Sequence, residues 1–135
     1  MWVLGPFIHE SGHPLMSCIL RISEPGVKAS LSKISLKPYR VENGAAHFCV
    51  SEADFSDFKT QIKDAIAFLQ SHMADVKFMM NKPNTSGVLD FAIEWRDVSV
   101  QSDNFPATLV REAGSLGLVL EMSHYPVSEE HNAKA

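Results

Sequence analysis

Five residues near the start, His9-Glu10-Ser11-Gly12-His13, have the types and spacing of a zinc-peptidase site. In that chemistry two histidines one helical turn apart hold the metal and the intervening glutamate activates a water. The chemistry needs a helix, and the surroundings oppose one. Gly5-Pro6 precede the motif, Gly12 lies inside it and Pro14 follows at once. Glycine costs about 1 kcal/mol in a helix interior relative to alanine, with little helix length here to recover it. The motif therefore reads as a chance match in a polar arm, with a zinc hydrolase kept as the remote alternative.

Other chemistry-bearing residues are equally unassembled. Cys18, His47 and Cys49 invite a second metal site, but strand alternation sets Cys18 on the core face and the other two on the opposite face, and no fourth ligand is placed. No Gly-x-Ser-x-Gly elbow accompanies the many serines. Gly114-x-x-Gly117 is too short for a phosphate loop and reads as a helix stop. Asp90 and Glu94 share one strand face at roughly 13 Å, too far to act on one atom. The sequence thus offers no catalytic set, and it implies no metal or cofactor.

The elements that would position these residues follow from patterning. Residues 16–23 read as a strand, with Cys18, Leu20 and Ile22 inward. Residues 27–36 read as a short helix, Asn43-Gly44 as a turn, and residues 45–50 as a second strand with Ala46, Phe48 and Val50 inward. Ser51-Glu52-Ala53-Asp54 looks like a capping box. A helix starting there would carry Phe55, Phe58, Ile62, Ala65, Ile66, Leu69 and Met73 toward a core and point Asp57 and Gln61 at water. Residues 76–80 read as a third strand forming a hairpin with a fourth, residues 88–95, whose Leu89, Phe91, Ile93 and Trp95 share the core face. Pro106 starts a third helix, Gly114 and Gly117 end it, and residues 118–125 read as the fifth strand.

The expected fold is α+β: a single, largely antiparallel five-stranded sheet with about three helices on one face, in the order β-α-β-α-β-β-α-β. Residues 1–15 read as an arm, dispensable to the fold. Residues 16–126 read as one domain, and 127–135 as a disordered tail with little to bury.

Composition limits the function classes. Hydrophobic residues make up 45% and charged residues 21% of the chain, ordinary globular values. A formal charge of −4, with twelve scattered basic residues, argues against nucleic acid, which needs clustered Lys and Arg. The apolar start is too short for a membrane span and lacks the basic flank of a secretory signal. Two cysteines make no disulfide framework, so a cytoplasmic home is expected.

The stretch from Phe105-Pro106 through Leu116-Gly117 to Tyr125-Pro126, together with Cys18-Ile-Leu-Arg-Ile-Ser23, resembles a family of small bacterial α+β proteins classed as a domain of unknown function. The resemblance spans about residues 16–126. It implies a strand and short helix, a long helix, a hairpin, and a helix leading into a closing strand. It implies no active site.

If helices cover one side of the sheet, the other should collect Ile19, Arg21, His47, Cys49, Lys77, Met79, Asp90, Ala92, Glu94, Val119, Glu121 and Tyr125. Apolar residues ringed by charge are what a contact patch for a protein partner or a homodimer looks like. Within it Met79, Asp90, Glu94, Glu121 and Tyr125 are the candidate partner-binding residues. The leading expectation is a non-catalytic interaction module, in one form an immunity-type inhibitor. The alternative is a small-ligand-binding protein or enzyme with a pocket between sheet and helices, using His47 or His124.

Overall fold

In the computed structural model, which describes residues 16–126, β1 (Cys18–Ser23) alternates as expected. Cys18, Leu20 and Ile22 are fully buried while Ile19, Arg21 and Ser23 are half-buried. The helix expected over 27–36 stops early, as α1 (Val27–Leu31). Beyond it the Ser35 and Leu36 amides donate to Asp75 Oδ2 at 3.1 and 3.0 Å, so a side chain supplies the acceptor that another helical turn would have provided.

β2 (Arg40–Glu42), which the sequence reading missed, is only three residues long, too short for alternation to register. Asn43 (φ 53°) and Gly44 (φ 76°) turn it into β3 (Ala45–Ser51). Two successive positive φ angles are what a tight hairpin requires, and Asn-Gly tolerates them best.

The capping box at Ser51 is not used. Ser51 remains in β3, its hydroxyl donating to Asp64 Oδ2 at 2.7 Å, and α2 (Phe58–Ser71) is capped six residues later, by Asp57. There Asp57 Oδ1 accepts from the Thr60 amide at 3.1 Å. The intervening loop carries Phe55 to the sheet, where its carbonyl accepts from the Glu94 amide at 3.2 Å. Gln61, expected to face water, is instead fully buried, its Nε2 donating to the Ala92 carbonyl at 3.0 Å.

Residues 76–80 are not a strand, and the expected hairpin does not form. They belong to α3 (Met73–Met80), which follows α2 after a break at His72 (φ −116°, ψ 22°). A short apolar run cannot declare its period, and here the three-residue spacing of Val76 and Met79, both fully buried, is the one that packs. Lys77 and Met79 therefore leave the predicted open face.

β4 (Ser86–Trp95) leads through α4 (Ala107–Ser115) to β5 (Leu118–Pro126), with Gly117 (φ 76°) between the last two. The open sheet has the order β2-β3-β1-β4-β5. The pairs β2·β3, β3·β1 and β1·β4 are antiparallel, but β4·β5 is parallel, so the sheet is mixed. Parallel neighbours need a long crossover, and the segment carrying α4 supplies it.

One apolar cluster joins Leu20, Ile22, Phe48, Leu89 and Phe91 of the sheet to Val27, Ala65, Leu69, Val76, Met79, Leu109 and Ala113 of the helices. The four helices of the described residues therefore pack on the same side of the sheet. Trp95, expected in this core, lies at its end, 36% exposed and edge-on to His124 at 5.9 Å between ring centroids. The expected arm, with its His-Glu-x-x-His motif, and the expected tail both lie outside the described residues.

Candidate functional site

The side of the sheet away from the helices is assembled by register. Arg21 of β1 sits opposite His47 of β3 and Val88 of β4, while Ile19 sits opposite Cys49 and Asp90. Arg40 extends the His47 row into β2, and on the far side Val119, Glu121, Ser123 and Tyr125 of β5 align with Val88, Asp90, Ala92 and Glu94.

Parallel pairing of β4 and β5 places the Asp90 and Glu121 carboxylates directly opposite one another. Like charges so placed repel, and Arg21 reaches diagonally across β4 to offset this. Its Nη1 donates to Asp90 Oδ2 at 3.2 Å and its Nη2 to Glu121 Oε1 at 3.0 Å. The Ser123 hydroxyl donates to the second Asp90 oxygen at 2.8 Å. Burial works against the guanidinium's charge, but the hydrogen bonds to Asp90 and then Glu121 outweigh it and raise the Arg21 pKa. The cluster fixes three charged side chains on three strands.

His47 occupies the β3 side of this face and is only 6% exposed. Its ring lies 6.0 Å from that of Tyr39, whose amide donates to the His47 carbonyl at 2.8 Å. Burial first, then the positive charges of Arg40 and Arg21, lower its affinity for a proton, with Glu42 opposing. Cys49 is half-buried and its thiol is pushed up by burial and then by Glu52. Cys18 lies on the helix side, fully buried, so it shares no site with His47 and Cys49. Among the described residues no three His, Cys, Asp or Glu side chains are grouped to hold a metal ion.

One end of the face is closed by the loop before α2. Where β1 has ended, the Ala92 amide donates to the Ser17 carbonyl at 2.7 Å and Phe55 takes up the Glu94 amide. The Phe55 ring then stands 6.0 Å from that of Tyr125.

Of the five candidate residues, the structure brings Asp90, Glu94, Glu121 and Tyr125 onto one face, with Asp90 beside Glu121 and Glu94 beside Tyr125. Met79 is a correction: it is fully buried under the sheet's other side, in α3. Sequence reasoning placed Arg21 on the face but missed its bridge, and it missed Ser123 and Arg40. Only the strand order could have revealed the bridge.

Elsewhere, a groove of about 310 Å³ runs along the sheet edge between α1 and the β2–β3 turn, lined by Pro25, Val27, Lys28, Val41, Glu42 and Asn43 among others. His47 faces away from the helices. No described helix is long and apolar enough to cross a membrane. Comparison with protein-family models, curated proteins and solved structures returned no match.

Proposed function

We propose that the chain is a non-catalytic protein-interaction module that presents the side of its sheet opposite the described helices to a partner with a basic surface. The observation that supports this most is the charge pattern on β4 and β5. There Arg21 bridges Asp90 and Glu121, Glu94 adds a third carboxylate to the same face, and Val88 and an exposed Val119 lie beside them. An acidic field of this kind speeds encounter with a basic partner, and the apolar residues within it supply surface to bury. An immunity-type inhibitor covering a toxin's basic surface is one form of the proposal. The likeness to the bacterial domain family stands beside it on the first strand and the closing helix-to-strand segment; the hairpin implied by that likeness is absent here.

A pull-down from the source cell with the wild-type chain and with a Glu94→Lys/Glu121→Lys variant tests this reading. The wild type should retain a basic protein that added salt releases, and the variant should lose it. Recovery of no protein, or equal recovery by the variant, would reject the proposal.

A further inference from the structure

β2 is held to the rest of the sheet by little. It has three residues and pairs with β3, and of its side chains only the half-buried Val41 packs against the core. Residues 37–42 run between two fixed points, the Leu36 amide on Asp75 and the Gly44 carbonyl, which accepts from the Glu24 amide at 3.1 Å. Segments with few buried contacts open locally at a lower free energy than the whole domain unfolds.

Register sets His47 of β3 directly opposite Arg40 on one side and Arg21 on the other, three basic side chains in one row. The imidazole is 6% exposed, and among the described residues no acceptor meets its buried Nδ1. Burial first, then Arg40 and Arg21, oppose a proton there, and only Glu42 favours it. The other titratable groups beside the ring, the Tyr39 phenol and the Cys49 thiol, are held uncharged, in both cases by burial first. Like charges directly opposite on neighbouring strands weaken the pairing, and a buried ion without a partner costs more still. Arg21 cannot retreat from such an ion, because Asp90 and Glu121 hold its two terminal nitrogens. Arg40 can, since its ion partner is Glu42 of the same strand, at 3.7 Å.

We propose that β2 is a proton-operated latch: when His47 takes up a proton, residues 37–42 leave β3, carrying Arg40 and Tyr39 away from the imidazolium and admitting water to it. The Tyr39 amide then gives up the His47 carbonyl, and β3 becomes the edge of the sheet. The latch does not rest on the function proposed above.

Amide exchange followed by NMR on the full chain tests this, with each rate divided by that of an unstructured peptide at the same pH. From about pH 7.5 to about pH 5 the protection of the Tyr39 amide and of β2 should fall several-fold, in step with the titration of the His47 ring. Because β2 uncovers little surface, its protection should not change in dilute urea, whereas that of β1 should. His47→Gln should abolish the fall. Arg40→Gln, a change at an exposed edge position, should lessen it and raise the pH at which His47 titrates, which a merely structural role for Arg40 would not do. Protection of β2 that ignores pH, that answers to urea as β1 does, or that falls equally in His47→Gln would overturn the proposal, as would an unmoved His47 titration in Arg40→Gln.

Discussion

His47 is a nearly buried imidazole on the side of the sheet away from the described helices, with Arg40 from β2 and Arg21 from β1 nearby. Its folded pKa lies below the ordinary 6.5, so on acidification the unfolded chain takes up this proton first. The resulting stability is complete above about pH 6.5 and is lost as pH falls through the folded value. The urea midpoint of the wild type should therefore drop between about pH 7.5 and about pH 5.5, and a His47→Asn variant should show a smaller drop. Equal drops in the two proteins would show that His47 does not carry the response. Its burial was not legible in the sequence. Alternation gave its side of the strand, but Arg40 belongs to a strand too short to be read and Tyr39 lies in the loop just before it.

At the scale of elements, α2 shows how a local signal can be outvoted. Both Ser51 and Asp57 are good cap residues, and the chain uses Asp57 because Ser51 is held in β3, where its hydroxyl donates to Asp64 and its oxygen accepts from the nearby Ala53 amide in a local turn. Asp57→Ala should cost about 1 kcal/mol in chemical denaturation, the usual worth of a helix N-cap, whereas a loss near zero would mean that Thr60 and its neighbours cap the helix unaided. α3 is the complementary case. Val76 to Met80 alternates like a strand over a few residues, yet α2 has already delivered the chain to the helical layer. A strand there would have to re-enter a sheet whose interior positions β3, β1 and β4 already fill.

For the whole molecule, the decisive arrangement is one apolar layer shared by the four described helices and the central strands. Phe91 sits at its middle, fully buried, with Phe58 edge-on at 5.7 Å and Phe105 at 5.1 Å, so it ties β4 to α2 and to the approach of α4. Phe91→Ala should cost about 3–5 kcal/mol, a large share of the ~5–15 kcal/mol that holds a domain together. Helical circular dichroism and tryptophan fluorescence should still be lost in one coincident urea transition, since the two layers have no separate cores. Separate transitions, or a loss under about 1 kcal/mol, would contradict the shared layer.

Hydrophobic period, turn residues and glycine stops by themselves determined the α+β class, the inward residues of β1, β3 and most of β4, the Asn43-Gly44 turn, and the opposition of Cys18 to His47 and Cys49. These are local properties, written in spacings of two to four residues. The tertiary structure alone decided that β1 lies between β3 and β4, that β5 joins in parallel, and that Arg21 consequently falls within reach of both Asp90 and Glu121. Strand order depends on which long-range pairings bury the shared apolar layer best, a competition among distant segments that no single window of sequence contains.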